Sequence, residues 1–161
     1  MGRMQHWAAV LSVSPLEPKV DPHEASASAV VNGITFCSTI HPWRGVKSDS
    51  PPWQGSNHAE MTKHTIDILL NKLPQSDLVW GGDWNHSLIG KEHAGSMGGR
   101  HHVLEAIQQL GLNVPTAGLL HRGDYCNAID HIGVPLSWKV ESAKRIDAAG
   151  LSDHDAYIVD T

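Results

Sequence analysis

A chain of 161 residues and 17.5 kDa, 40% hydrophobic and 18% charged, has apolar material for one core and too little length for two. Such a composition excludes a disordered chain, and no apolar run approaches the roughly 18 residues of a membrane span. The formal net charge of −5 excludes a global basic field for nucleic acid but not a local site, because 12 histidines can add positive charge as pH falls.

The start does not read as a targeting segment. Arg3 precedes the short apolar run Trp7-Ala8-Ala9-Val10-Leu11, but Pro15, Glu17, Lys19 and Asp21 follow it instead of a small-residue cleavage site. Gly2 invites myristoylation, yet His6 stands where that signal needs Ser or Thr. The expectation is an unprocessed cytoplasmic protein with no membrane partner. Cys37 and Cys126 are far apart and lack metal-site spacing, so a buried free thiol is expected at Cys37; a disulfide stays open, with nothing arguing for it.

In chain order, residues 6–13 are mostly apolar and predict a buried strand stopped by Ser14-Pro15. Residues 25–31 and 34–40 flank Asn32-Gly33, a strong signal for a tight hairpin. Ile34, Phe36, Ser38 and Ile40 alternate there with Thr35, Cys37 and Thr39, and His41 leaves the second strand at the sheet edge. Residues 42–56 are rich in Pro, Gly and Ser and predict a surface loop carrying Trp43 and Trp53. Asn57 with Glu60 suits a capping box, opening a helix whose apolar face is Met61, Ile66, Leu69, Leu70 and Leu73, with Pro74 at its end.

Residues 77–81 predict the next strand, its apolar run Leu78-Val79-Trp80 leading to Asp83. A glycine-dense loop, 86–98, precedes a helix over 100–110 with Val103, Leu104, Ile107 and Leu110 inward and Gly111 as its C-terminal cap. Strands near 128–134, 138–146 and 156–159 complete an alternating order, which indicates an α/β layered fold. There is no repeat and no low-complexity tract.

Three segments carry the chemistry: Gly81-Gly82-Asp83-Trp84-Asn85, Asn127-Ala128-Ile129-Asp130-His131-Ile132 and Ser152-Asp153-His154-Asp155. Carboxylates at strand ends can bind Mg²⁺ or Mn²⁺, while an amide and an imidazole can hold phosphoryl oxygens or pass protons. Taken alone, the first could be a strand-to-loop turn that uses Asp and Asn for backbone hydrogen bonds, the second a solvent-facing strand acid, and the third an Asp-His turn capping the last strand.

In this order the segments resemble the late motifs of the endonuclease/exonuclease/phosphatase family, the metal-dependent phosphodiesterases that look like pancreatic deoxyribonuclease. Gly82-Asp83-Trp84-Asn85 matches its Gly-Asp-x-Asn turn, Ile129-Asp130-His131-Ile132 its Ile-Asp-x-Ile strand, and Ser152-Asp153-His154 its terminal Ser-Asp-His. Thr39-Ile40-His41 is a fourth match, to a strand ending in Thr-x-His.

The resemblance implies a layered sandwich of mixed β-sheets flanked by helices, and a metal-dependent phosphoric ester hydrolase that attacks phosphorus with an activated water. It implies Mg²⁺ (or Mn²⁺) held by Asp83, Asn85 and Asp153. Asp83 would align or deprotonate the water, and Asn85, His154 and His41 would contact the phosphate. Asp130 would orient His154 through its other ring nitrogen. Arg100 is a candidate to neutralise substrate phosphate, although a solvated arginine at a helix start is the simpler expectation. His101, His102 and His131 receive no role. The substrate is a phosphate ester, open between nucleic acid, a nucleotide-derived ester and a lipid head group.

The early motifs of the family, a strand asparagine and a metal-binding glutamate, have no match; Glu17 and Glu24 lie in a proline-broken stretch. Residues 1–161 are therefore expected to be the C-terminal portion of a single domain lacking its first strands, with unpaired edges, an uncovered sheet face, and a missing N-terminal segment or a partner chain to fill it. The alternative is an inactive remnant or interaction module of the same fold. A histidine-rich metal-binding protein is a weaker third reading, because the histidines do not cluster at ligand spacing.

Overall fold

Asn32 and Gly33 both take positive φ, 51° and 83°. This is the two-residue turn whose twist matches a right-handed hairpin. It joins strands that pair antiparallel from Val31 opposite Ile34 to Ser26 opposite Thr39. The protein, a computed structural model, is described over residues 6–121, 123 and 125–161. Its elements are β1 (Glu17–Pro18), β2 (Ser26–Val31), β3 (Ile34–Thr39), α1 (His58–Lys72), β4 (Leu78–Asp83), α2 (Met97–Gln109), β5 (Leu112–Asn113), a 3-10 turn (Pro115–Gly118), β6 (Asp130–Pro135), β7 (Ser142–Ile146) and β8 (Ala156–Asp160).

Six strands form one mixed sheet in the order β1-β2-β3-β4-β6-β5, while β7 and β8 form a separate antiparallel pair. The β3–β4 pair is parallel, as a crossover through α1 requires, and β4–β6 is antiparallel. Both helices cover one face of the large sheet. Cys37, Leu78 and Trp80 from the strands pack there against Ile66, Leu69 and Leu73 of α1 and against Val103, Ala106 and Leu110 of α2 and its end. Phe36, Val79, Ile132 and Val134, of the opposite parity, line a cleft of about 570 Å³ with Ala9, Leu11, Trp138 and Val159.

Asn57 caps α1 by accepting from the Glu60 amide, and Glu60 returns to Ser56, one residue before the cap rather than to the cap itself. Ser96 caps α2 through Gly99. Among the described residues no helix is long and apolar enough to cross a membrane.

Several local expectations need correction. Residues 6–13 form no strand: they run over the cleft without a ladder partner, and Leu11 and Val13 are almost wholly exposed. Leu104 is exposed because Val103, Ala106 and Leu110 already fill the stripe of α2 that meets the core. Trp53 is buried, not displayed on a surface loop; it packs with Ala25 and Met61, and its indole N–H points to the Ile40 carbonyl. Strand β7 occupies only the second half of 138–146. Both cysteines are free thiols, Cys37 buried and Cys126 half-buried.

Candidate functional site

Strand parity places the acids. Leu78 and Trp80 face the helices, so Val79, Gly81 and Asp83 face the other side; on β6, His131 turns toward the helices while Asp130 and Ile132 turn away. Asp83 and Asp130 are register partners across β4 and β6, which brings the two carboxylates side by side at one end of the sheet. Glycine is required beside them. A Cβ on Gly82, whose φ is +127°, would lie 2.1 Å from the Thr39 carbonyl oxygen, so only glycine lets β4 approach β3 this closely.

The third member arrives from the loop before β8. Ser152 Oγ accepts from the His154 amide and shapes that turn, and the His154 imidazole donates from Nδ1 to Asp130, 2.8 Å from Oδ2 and 3.0 Å from Oδ1. Asp83, Asp130 and His154 each offer one ligand atom within 4.8 Å of the others. Asp83 and Asp130 border a small cleft of about 220 Å³ lined also by Gly82, Asp155 and Tyr157.

The electrostatics are those of a crowded acidic pair. Burial, helped by the Asp130 charge, pushes the Asp83 carboxyl up to about 6. The hydrogen bond to Asp130 outweighs burial at His154 and raises the imidazole to about 9, so it is a cation at neutral pH. A divalent cation would relieve the repulsion between the two acids, and their oxygens are the donors a hard ion prefers. The donor set therefore fits such an ion, with Asp83 and Asp130 as the residues that would hold it.

Of the remaining expected site residues, Asn85 adjoins the acids, while Asp153 and the His41 ring lie outside the converging group. Asn85 takes φ 51°, gives its amide N–H to Asp83 Oδ1 at 3.0 Å, and spends a side-chain N–H on the His41 carbonyl at 3.0 Å. It braces Asp83 from behind. Asp153 is exposed and outside the group of converging ligand atoms. The His41 ring does not reach the acids: it is fully buried, stacked on Trp84 at 6.2 Å and 13°, because it continues the parity of Cys37 and Thr39 onto the helix face. Its backbone alone joins the site, donating to the Asp83 carbonyl. Arg100 is neither solvated nor free for phosphate. It is buried against Glu92, which also accepts from the Ser87, Ala94 and Gly95 amides and so knits the 86–96 loop together. Glu17, in exposed β1, pairs with Lys19, and Glu24 is exposed.

Of the other residues around the site, Asp155 stands in one of the three chemistry-bearing segments but receives no role from the sequence, and His121 and Tyr157 stand in none. His121 lies edge-on to His154 at 5.3 Å with Nδ1 3.9 Å from Asp130 Oδ2, so Asp130 has a histidine on either side. Asp155 is buried; it accepts from the Ala148 amide and lies 3.4 Å from Arg145 Nε, which fixes the loop carrying His154. Tyr157 donates its hydroxyl to the Leu120 carbonyl. The period-2 pattern of β8 was the only available signal, since it sets Asp155 and Tyr157 on one side of the strand.

No family model matches the sequence, and no curated protein matches it. Solved structures do. An AP endonuclease from Archaeoglobus fulgidus superposes with a TM-score of 0.67 at 18% identity, over 92% of this chain and 72% of that one. A 3'-5' exonuclease (NExo) from Neisseria meningitidis gives 0.59 at 16% identity, over 84% and 64%. The endonuclease domain of TRAS1, a telomere-specific non-LTR retrotransposon, gives 0.52 at 18% identity, over 84% and 63%. The chain thus spans just under two thirds of the last two. At such identities the likeness speaks for architecture alone, and the mixed sheet with its two helices is that of an endonuclease/exonuclease/phosphatase-like fold.

Proposed function

We propose that this chain is a metal-dependent phosphoric ester hydrolase. The observation that carries the proposal is the convergence of Asp83, Asp130 and His154 within 4.8 Å beside an open cleft. A bound Mg²⁺ or Mn²⁺ would supply Lewis-acid polarisation of a phosphoryl oxygen. Asp83, which ionises near neutrality, accepts the proton of the attacking water. Asn85 fixes the Asp83 carboxylate through its backbone amide. His154, held cationic by Asp130, stabilises negative charge developing on the phosphoryl oxygens. Asp130 acts through its hydrogen bond to His154 and as the second acid of the pair. Asp153 and the His41 imidazole take no part in this scheme.

The test is hydrolysis of a small phosphodiester with Mg²⁺, with Mn²⁺ and with chelator, on the parent protein and on Asp83→Asn. Metal-dependent turnover that Asp83→Asn removes is the expected result; turnover that survives either the chelator or the substitution defeats the proposal.

One observation favours the second reading, a non-catalytic interaction module of the same fold: among the described residues the convergent group holds only two carboxylates, and Asp130 is already engaged by His154. Calorimetric titration separates the readings, because a module without a metal site shows no heat on adding Mg²⁺ or Mn²⁺ to the folded protein.

A further inference from the structure

Strands β3 and β4 are parallel, so the loops that follow them leave the same end of the sheet, the end at which Asp83 stands. The first, residues 42–56, displays Trp43. This indole is 42% exposed although it is large and apolar, and it is not loosely held. Its edge packs against buried Trp53 at 5.3 Å and 83°, and Trp53 is braced in turn by Trp7 at 5.2 Å. A Cβ on Gly45 would lie 3.4 Å from Cδ1 and Nε1 of Trp43, so the loop backbone runs close along that edge of the ring.

The surroundings are basic in a chain whose net charge is −5. Residues 41–48 hold Arg44 and Lys47 and no acid. The second loop lies against the first, with the Arg44 amide bonded to the Ala94 carbonyl and its guanidinium to that of Gly95. It adds exposed Lys91 and His93, and its one acid, Glu92, is buried and paired with Arg100. Strand spacing and chain reach place the Trp43 backbone at most about 12 Å from that of Asp83, a span of a few nucleotides.

A half-exposed indole held against buried Trp53, on loops that carry Arg44, Lys47, Lys91 and His93 against one exposed acid, Asp49, whose Oδ1 accepts from the Gly55 amide, matches what an unpaired base and its phosphates need. A duplex keeps its bases stacked and offers no free face. We propose that Trp43 is a stacking platform for an unpaired base of a single-stranded nucleic acid, with Lys47 and Lys91 contacting its phosphates, next to the Asp83–Asp130–His154 cleft. This proposal deepens the hydrolase reading and rests on it for the identity of the neighbouring site.

The experiment uses a fluorescently labelled oligodeoxythymidylate, with anisotropy measured in chelator so that no cleavage occurs, on the parent, Trp43→Ala, Trp43→Phe and Lys47→Ala. A hairpin duplex of equal length and anionic phospholipid vesicles serve as competitors. The expected result is binding that weakens about tenfold or more in Trp43→Ala, recovers in large part in Trp43→Phe, and is displaced poorly by the duplex. Lys47→Ala should flatten the dependence of log affinity on log salt by about 0.7. Equal affinity for parent and Trp43→Ala, displacement by the vesicles, or duplex competing as well as single strand each overturns the proposal. Should Trp43→Ala fail to fold, the Lys47→Ala slope and the competitors still decide. Hydrolysis of the small phosphodiester is measured in parallel with Mg²⁺ on the parent protein. Oligonucleotide binding without any such hydrolysis would mean that the hydrolase reading fails while the platform stands.

Discussion

His154 and His86 belong to loops at the same end of one sheet, yet their surroundings drive them in opposite directions. His154 has a carboxylate at 2.8 Å and is raised to about 9. His86 is fully buried, donates from Nδ1 to the Trp84 carbonyl at 2.6 Å, and is lowered by burial to about 4. His131 is likewise lowered to about 4, donating to the His86 carbonyl at 2.9 Å with its other nitrogen 3.3 Å from the Thr116 hydroxyl. His41, between Trp80, Trp84 and His86, is pushed well down by burial. One residue type thus does two jobs on the two faces of the sheet. On the helix face it is neutral packing, and His86 and His131 also satisfy backbone carbonyls; on the open face His154 is a charge, while its neighbour His121 is lowered by burial.

The largest effects should come from the open face. Asp83→Asn should lower phosphodiester hydrolysis about 10³-fold, and His154→Ala about 10²- to 10³-fold, as measured by steady-state turnover with Mg²⁺. Asp83→Asn should not destabilise the protein. Its folded carboxyl is raised to about 6 from 3.8, so ionisation in that window costs stability as pH rises, and at neutral pH the amide removes that cost. A chemical-denaturation midpoint that falls in Asp83→Asn would mean that the carboxylate holds the fold together instead.

The helix face should answer through stability. Glu92 and Arg100 are nearly wholly buried, and Glu92 also satisfies three amides of the 86–96 loop. Glu92→Ala leaves the guanidinium unpaired in the interior, and about 3–5 kcal/mol of destabilisation is expected. Urea unfolding measures it, and a loss below about 1 kcal/mol would show that the loop is held by other means.

Acid should separate the two kinds of histidine. For His86 and His131 the folded values near 4 lie below the ordinary 6.5, so the unfolded chain takes up protons first. Their contribution is complete above pH 6.5 and is lost as pH falls from there toward 4. His154 runs the other way: it is raised, so its contribution is complete below 6.5 and is lost as pH rises through about 9. Stability against urea should therefore decline on both sides of neutrality. In Asp83→Asn, which removes the opposing gain that Asp83 gives as pH falls below about 6, a midpoint that stays flat between pH 6.5 and 4.5 would mean that the buried imidazoles titrate as exposed ones do.

How much of this was legible depends on the range of the interaction concerned. The Asn32-Gly33 turn, the Asn57 cap and the Asp83–Asn85 turn are written in neighbouring residues, and the structure has each of them. The pairing of Asp83 with Asp130 was not legible at all; the resemblance tied Asp130 only to His154, and nothing local states that β4 and β6 are neighbours. The expected role of His41 at a phosphate meets the parity of its own strand, where Cys37 and Thr39 already faced the core; the alternation was visible, and which side held the helices was not. Arg100 and Glu92 pair across a glycine-dense loop, and Trp53 is buried by a long loop folding back, both outcomes of tertiary closure. Residues 6–13 show the converse: apolar sequence predicts a strand only where a second strand offers hydrogen bonds.

The smallest change asked of the molecule is Asp130→Asn, and it bears most directly on why the two histidine environments differ. The amide keeps the shape of the carboxylate, and its oxygen can still accept from His154 Nδ1, but the negative charge is gone. The bond to Asp130 is the leading cause of the raised His154 value, and the Asp130 charge is the second cause, after burial, of the raised Asp83 value. Both groups should therefore move down together in the metal-free protein: the imidazole back toward 6.5, and the Asp83 carboxyl from about 6 toward 3.8. Nuclear magnetic resonance titration of the His154 ring proton and the Asp83 side-chain carbon reads both at once. If His154 stays near 9 in this variant, Asp83 and Asp153 carry its charge without help. If Asp83 stays near 6, its burial alone sets the value, and the proximity of two acids plays no part in tuning the site.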